Sequence, residues 1–231
     1  GDVVAEKENT SALVHQSGLM QHFTVDNPKL WCPEHPYLYK AVSQIYVKDS
    51  LVDEYTTRFG IRKLEYIPDK GFFLNGKMYK INGVCMHHDL GALGAAINKE
   101  AIHHRLLMLK DMGCNAMRTS HNMPAPELVE ACDEDGIMLM VEAFDEWDAA
   151  KCDSGYHRYF KDWSERDVTN MVRHYRNDPS VILWSTGNEI PTQWEKDGYK
   201  VAEYLQNICH REDPTRPVTC GMNGVPIVFD N

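Results

Sequence analysis

The sequence has no run of apolar residues that approaches the ~18 needed to span a membrane. Its opening stretch, GDVVAEKENT, has neither the basic start nor the apolar segment of a signal peptide. Basic runs are also missing, and 24 Lys and Arg residues against 34 Asp and Glu residues give a net charge of −10. These absences argue against a membrane span and against nucleic acid or an anionic membrane as a partner. We expect a soluble protein, in a compartment that the sequence leaves open.

Two kinds of short chemical motif are absent as well. The seven cysteines are odd in number and include no Cys-x-x-Cys pair, which argues against a zinc ribbon or a thioredoxin-like site. Cys85 and Cys114 lie in apolar runs, so we expect mostly reduced cysteines that serve as small core residues. Residues 91–96, GALGAA, fit neither the G-x-G-x-x-G pattern nor a Walker motif, and we interpret them as a loop.

The residues that are present indicate two regions with different patterns of secondary structure. With 231 residues, 43% of them hydrophobic and 25% charged, the chain can form one large domain or two small ones. Residues 42–47 and 51–59 are strand-like with a hairpin turn at Asp49-Ser50, and residues 22–25 alternate. An immunoglobulin-like β-sandwich needs about seven strands, and only about four or five fit here. We therefore predict a partial sandwich over residues 1–66.

From about residue 68, short apolar strands alternate with amphipathic helices, which is typical of parallel βαβ units. The helical spacing over residues 99–112 and the apolar run over residues 137–141 are the clearest examples. The pattern predicts five strands, whereas a (β/α)8 TIM barrel needs eight strands and about 250 residues. We predict a truncated TIM barrel over residues 67–231, with an open doubly wound sheet as the alternative.

Polar side chains follow four of these predicted strands, at the point where each strand ends. In a parallel barrel the strand ends lie on one face, and that face carries the active site. Carboxylates and Asn bond to sugar hydroxyls, and a tryptophan such as Trp147 offers a flat apolar face for a sugar ring. We expect one shared site formed by His87, Arg118, His121, Glu142, Glu146, Asn188 and Glu189.

Two carboxyl groups at one site suggest hydrolysis of a glycosidic bond. That reaction needs one protonated acid and a second carboxylate that attacks the anomeric carbon or activates water. Glu189 is the best candidate for the acid because it comes at the end of a buried strand. The alternative is that Asn188 and Glu189 cap the next helix, or that Glu189 is only a solvated side chain.

Five stretches resemble glycoside hydrolase family 2, in particular its β-galactosidases. Residues 115–124, NAMRTSHNMP, resemble the first signature of that family, and residues 176–189, RNDPSVILWSTGNE, resemble its acid/base signature. Residues 59–62, FGIR, resemble the passage from sandwich to barrel. Residues 27–31, NPKLW, with residues 36–39, PYLY, resemble its immunoglobulin-like domain. The resemblance covers nearly the whole chain and implies an immunoglobulin-like domain followed by a TIM barrel.

The resemblance also implies roles for individual residues. Glu189 would be the general acid/base, and Asn188 would bind the 2-hydroxyl of the sugar. Arg118 would either line the sugar subsite or orient a carboxylate. The substrate-binding residues implied or expected are Asn188, His87, His121, Arg118 and Glu142.

A magnesium site is implied only weakly. Glu146 falls where the galactosidases of the family place a magnesium ligand, but their partner histidine is replaced here by Asp148. The alternative is a solvated acidic loop, so we expect no required cofactor and at most magnesium at Glu146.

The family nucleophile is a second glutamate at the end of the seventh strand, and no carboxylate after Glu189 has such a place. We therefore expect an internal fragment of a retaining exo-β-glycosidase, inactive by itself, that belongs to a β-galactosidase acting on an oligosaccharide or glycoside. A β-glucuronidase, a β-mannosidase or a non-catalytic carbohydrate-binding module are the alternatives. Exposed barrel edges predict self-association.

Overall fold

A computed structural model describes residues 2–9 and 20–224, and the first element in it is a long antiparallel hairpin. Strand β1 (Tyr39–Val47) pairs with β2 (Ser50–Phe59) over almost its whole length. Lys48 and Asp49 both have positive φ, 49° and 63°, as a two-residue type I′ turn requires. The turn therefore lies one residue before the predicted Asp49-Ser50.

The predicted immunoglobulin-like sandwich is only partly visible. Residues 22–25, predicted as a strand, are in no strand, and the hairpin of β1 and β2 forms a two-stranded sheet of its own. Most hairpin residues are exposed on both faces. The sandwich over residues 1–66 remains a prediction, and so does its boundary, which falls inside the next strand.

A small antiparallel sheet closes one end of the barrel. It consists of β3 (Leu64–Ile67), β4 (Gly71–Leu74) and β5 (Lys77–Tyr79). Its buried side chains pack with Trp31 against residues at or near the start of three barrel strands. The residues of this core are Trp31, Phe72, Leu74, Ala116, Met138 and Ile182. The sheet thus covers the amino ends of the barrel strands and leaves their carboxyl ends to form the site.

Within residues 20–224, five parallel strands form the main sheet, as predicted. They are β6 (Gly83–His87), β7 (Ala116–Ser120), β8 (Met138–Glu142), β9 (Val181–Asn188) and β10 (Val218–Gly221). Their order in the sheet is the order in the chain, β6 to β10, and every pair is parallel. A doubly wound sheet reverses its order at a switch point, so this uninterrupted order identifies part of a TIM barrel.

Four helices connect these strands. They are α1 (Lys99–Asp111), α2 (Pro126–Asp135), α3 (His157–Tyr175) and α4 (Gly198–Glu212), with 3₁₀ turns at Gly91–Leu93 and Pro191–Trp194. None of the helices in residues 2–9 and 20–224 is both long and apolar enough to cross a membrane.

The central strands are buried on both faces, which explains their continuous apolar sequence. Leu139 and Val141, on one face of β8, are fully buried in a core that also holds Val168 and Val172 of α3. Met138, on the other face, is fully buried in the core that holds Trp31. Trp184 of β9 is also fully buried, and its indole Nε1 donates to Asp213 Oδ2 at 2.9 Å, so it is a core residue of the barrel.

Candidate active site

Glu142, the last residue of β8, is the centre of a hydrogen-bond network at the carboxyl ends of the strands. Its side chain is fully buried and accepts four hydrogen bonds. Arg118 Nε and Ser185 Oγ donate to Oε2 at 2.7 and 2.6 Å. Arg118 Nη2 lies 3.0 Å and His121 Nδ1 2.7 Å from Oε1. Because its oxygens already accept four bonds from the protein, these contacts favour a positioning role for Glu142 over its predicted role as a sugar ligand.

Arg118 links this carboxylate to β9. Its Nη2 also donates to Asn188 Oδ1 at 2.7 Å. Partial burial acts to lower the pKa of Arg118, but the Glu142 carboxylate outweighs it and raises that pKa above its ordinary value. Of the two roles predicted for Arg118, its contacts favour the orientation of a carboxylate.

Two histidines stand beside the network. The rings of His87 and His121 pack edge to face, with centroids 5.0 Å apart and an angle of 86° between the planes. His87 is exposed at the end of β6, whereas His121 is partly buried. With its Nδ1 directed at Glu142, His121 carries its other ring nitrogen on the opposite side of the ring. Both imidazoles therefore lie at the same rim as Asn188.

Glu189 follows β9 in a left-handed backbone conformation, with φ 44°. Its N–H donates to the carbonyl oxygen of Gly221 at 2.5 Å, and its side chain is exposed at the rim. Gly221 permits the close approach of β10, because a Cβ there would lie 2.8 Å from Arg118 Nη2. The backbone thus presents the one exposed carboxyl group that adjoins Asn188 in sequence.

Two residues to which the sequence reasoning assigned no role complete the network. Asp145 Oδ1 accepts from Asn188 Nδ2 at 3.1 Å and from Lys151 Nζ at 2.9 Å. Lys151 Nζ also donates to the carbonyl oxygen of Asn188 at 2.6 Å. Partial burial acts to raise the pKa of Asp145, but the bonds from Lys151 and Asn188 bring it below its ordinary value. The position of Asp145 after β8 was a usable signal for its place at the site, while Lys151 arrives through an irregular loop.

Glu146 lies outside this network. Its carboxylate accepts the backbone N–H groups of Lys151 at 2.6 Å and of His157 at 2.8 Å, and His157 Nδ1 lies 2.8 Å away. Burial acts to raise the pKa of Glu146, but these bonds, led by those from the backbone, lower it. Glu146 therefore anchors the loop after β8.

The surroundings of Glu146 do not fit a magnesium ion. The groups directed at its oxygens are hydrogen-bond donors, whereas magnesium requires further oxygen ligands in an octahedral arrangement. Asp148, two residues later, accepts instead from Thr192 Oγ1 at 2.7 Å. Across residues 2–9 and 20–224, no three His, Cys, Asp or Glu side chains are grouped to hold a metal ion. Magnesium at Glu146 therefore stays a prediction that the surroundings of this carboxylate do not favour.

Trp147 is not a sugar platform either. It is 1% exposed and its Nε1 donates to the carbonyl oxygen of Thr186 at 2.8 Å, so it belongs to the core beneath the site.

The structure is thus a partial TIM barrel whose strands bring the carboxyl group of Glu189, the amide of Asn188 and two imidazoles to one rim. Residues 66–230 match the family model described as "Glycosyl hydrolases family 2, TIM barrel domain", and residues 1–62 match the model "Glycosyl hydrolases family 2". The chain belongs to glycoside hydrolase family 2, as its motifs suggested.

Individual relatives match most of this chain. The chain is 43% identical to a β-galactosidase of Bacteroides ovatus, over 88% of this chain and 28% of that protein. It is 30% identical to a β-glucuronidase of Bacteroides fragilis, over 86% of this chain and 29% of that protein. A solved family 2 structure from Bacteroides cellulosilyticus superposes with a TM-score of 0.86 at 39% identity, over 89% of this chain and 27% of that one. The chain spans less than a third of each of these relatives.

Proposed function

We propose that this chain carries the acid/base part of the active site of a retaining exo-β-glycosidase that removes terminal β-galactosyl groups. The observation that carries the proposal is the pair Asn188-Glu189 at the end of β9, where Asn188 is fixed by Arg118 and Asp145 and Glu189 is exposed at the rim. A proton donor at such a rim has access to the oxygen of a glycosidic bond.

Glu189 acts first as general acid and then as general base. It gives its proton to the departing glycosidic oxygen, and it then takes a proton from the water that attacks the glycosyl-enzyme intermediate. The nucleophile that forms this intermediate is a second carboxylate, which we assign to no residue of this chain.

Asn188 is suited to hold the 2-hydroxyl of the sugar. An amide has two N–H groups and two oxygen lone pairs. One N–H is used by Asp145 and one lone pair by Arg118, so one donor and one acceptor are left to bind a hydroxyl. Such a bond strengthens in the transition state and supplies part of the rate enhancement. His87 and His121 are proposed to line the same sugar subsite.

The choice of galactose is supported by the 43% identity to a β-galactosidase. A glucuronide is the alternative substrate, because relatives named as β-glucuronidases or putative ones are 30% to 38% identical. We also propose that β1 and β2 belong to an immunoglobulin-like domain, a proposal supported by the family match over residues 1–62.

The test is Glu189→Gln in the full-length enzyme that contains this segment, with Glu195→Gln, an exposed glutamate nearby, as the matched control. The loss of kcat/KM should be about 10²–10⁴-fold for a galactoside with a poor leaving group and much smaller for a dinitrophenyl galactoside. Azide should restore turnover by attacking the intermediate without base assistance. Equal losses on both substrates without an azide effect would exclude Glu189 as the acid.

The same assays compare the candidate substrates. Nitrophenyl β-galactoside, β-glucuronide and β-mannoside are offered to the unaltered enzyme at equal concentration. Galactoside should be turned over fastest, and a preference for the glucuronide would favour the alternative. Sugar binding without turnover of any substrate would identify a carbohydrate-binding module instead.

A further inference from the structure

We propose that Lys151 is a positioning residue that fixes the backbone of the acid/base Glu189 through the carbonyl group between Asn188 and Glu189. The proposal rests on the proposed function of Glu189 and adds to it a residue outside the β9 strand. It follows from one contact: Lys151 Nζ donates to the carbonyl oxygen of Asn188 at 2.6 Å.

That carbonyl belongs to the peptide bond that leads into Glu189. At the other end of the same peptide group, the N–H of Glu189 donates to the carbonyl oxygen of Gly221 at 2.5 Å. The peptide plane is therefore held from two sides, by the ammonium group of Lys151 and by β10. Its orientation sets the direction in which the side chain of Glu189 leaves the backbone.

Glu189 needs such support because its φ of 44° lies in the left-handed region, which residues other than glycine rarely adopt. A conformation of this kind persists only where the surroundings impose it, and it is found preferentially at functional sites. The two bonds to the Asn188–Glu189 peptide group are contacts of the required kind.

Asp145 forms an ion pair with Lys151 and also contacts Asn188. Its Oδ1 accepts from Lys151 Nζ at 2.9 Å and from Asn188 Nδ2 at 3.1 Å. Lys151 thus holds the main chain of Asn188 directly, while Asp145 holds its side chain. Charge-assisted bonds are shorter and stronger than neutral ones, so an ammonium group suits this place better than a neutral donor.

The loop after β8 places Lys151 at this position. Glu146 accepts the backbone N–H of Lys151 at 2.6 Å and that of His157 at 2.8 Å, which ties both ends of the segment to one buried carboxylate. The Lys151 side chain is 23% exposed and that of its partner Asp145 54% exposed, so the ion pair lies at the partly solvated rim beside Asn188. Glu146 therefore contributes to the site by fixing the residue that contacts Asn188.

The test compares Lys151→Met with Lys151→Arg in the full-length enzyme. Met keeps the length of the side chain without a donor, and Arg keeps a charged donor. Lys161→Met, an exposed lysine on α3, is the matched control. Without Lys151, Glu189 should be poorly oriented, and this should slow the reaction only where the leaving group needs a proton. Lys151→Met should lower kcat/KM about 10-fold or more on an alkyl galactoside, a fraction of the whole acid effect, and about 2-fold on a dinitrophenyl galactoside.

The expected pattern includes a nearly unchanged KM, partial recovery in Lys151→Arg and no effect in Lys161→Met. Equal losses on both substrates, or no loss, would overturn the positioning role. If Lys151→Met fails to fold, as judged by circular dichroism, Lys151→Gln replaces it and should show the same dependence on the leaving group. If the loss in Glu189→Gln does not depend on the leaving group, the proposed function itself is contradicted. If Glu189→Gln shows the expected dependence but Lys151→Met keeps the activity of the unaltered enzyme, only the role of Lys151 is contradicted.

Discussion

Arg118 and Glu142 form a bidentate ion pair at the centre of the site, with Nε 2.7 Å from Oε2 and Nη2 3.0 Å from Oε1. The planar guanidinium group fits the carboxylate in one orientation, and that orientation also directs Nη2 at Asn188. The pair therefore sets the position of the amide that adjoins Glu189, although neither of its members carries the proton.

The first prediction concerns this pair. Arg118→Met leaves the fully buried Glu142 carboxylate without its bidentate partner, and breaking a buried pair in this way typically costs about 3–5 kcal/mol of unfolding free energy. The double variant Arg118→Met with Glu142→Gln should recover part of that loss, because no buried charge is then left unpaired. Urea unfolding of the unaltered protein, of Arg118→Met, of Glu142→Gln and of the double variant measures both the loss of stability and its recovery.

Arg173→Met is the control for the first prediction. Arg173 pairs with Glu212 but is 60% exposed, so its loss should cost less than about 1 kcal/mol. Additive effects of the Arg118 and Glu142 substitutions would show that the two side chains do not stabilise each other.

The barrel strands, and the side of the barrel that carries the polar residues, could be predicted from the sequence. Continuous apolar runs such as residues 137–141 leave few other structures open, and the end of a parallel strand fixes where the next side chain lies. The contacts beyond the strands could not be predicted in this way. Lys151 reaches Asn188 because of the path of the loop after β8, which is set by the hydrogen bonds that backbone N–H groups donate to Glu146. Neither periodicity nor spacing records such bonds.

The second prediction concerns Gly155. A Cβ at this residue would lie 1.8 Å from Oε1 of Glu146, so Gly155→Ala must displace the carboxylate or the loop. We expect a lower melting temperature and, in the full-length enzyme, the same leaving-group-dependent loss as in Lys151→Met. Gly76→Ala is the control, since nothing lies within 4 Å of a Cβ there, although its positive φ adds some strain. An unchanged Gly155→Ala protein would show that the loop adapts without cost.

The third prediction concerns magnesium. A ligand that binds only the folded state raises the melting temperature. Because donors rather than oxygen ligands face Glu146, millimolar magnesium or EDTA should leave the melting temperature of the chain unchanged. Glu146→Gln should lower the melting temperature to the same extent with and without magnesium. A magnesium-dependent rise that is lost in Glu146→Gln would support Glu146 as a magnesium ligand.

The fourth prediction concerns self-association of the isolated chain. Within residues 2–9 and 20–224, β6 and β10 are the edge strands of the parallel sheet, and exposed edges pair readily with other chains. The hairpin adds exposed apolar side chains, among them Val42, Tyr46, Leu51 and Tyr55. Light scattering should show a mass that rises with concentration, and a single monomer mass over the whole range would contradict the prediction.

The fifth prediction concerns two carboxyl groups, Asp133 and Asp178, that lie close together beside the start of β9. Burial raises the pKa of both groups, and the neighbouring charge and hydrogen bond of Asp133 raise that of Asp178 further. Asp133 Oδ1 also accepts the N–H of Ser180 at 2.9 Å, which favours keeping its charge. The proton of the pair is therefore expected on Asp178, with Arg58 and Arg216 as the nearby positive charges.

The raised pKa makes the stability of the fold depend on pH in a definite direction. An unfolded Asp loses its proton near pH 3.9, while folded Asp178 keeps it to a higher pH. Between the two values the folded state binds more protons, so the free energy of unfolding contributed by this group falls as the pH rises. This contribution to stability is fully present below the unfolded pKa and is lost as the pH passes the folded pKa.

Asp178→Asn, which resembles the protonated form, should reduce the fall in melting temperature from pH 5 to pH 8. Asp162→Asn, a change at an exposed residue of α3, should leave that fall as it is in the unaltered protein. Equal slopes for Asp178→Asn and the unaltered protein would place the proton elsewhere.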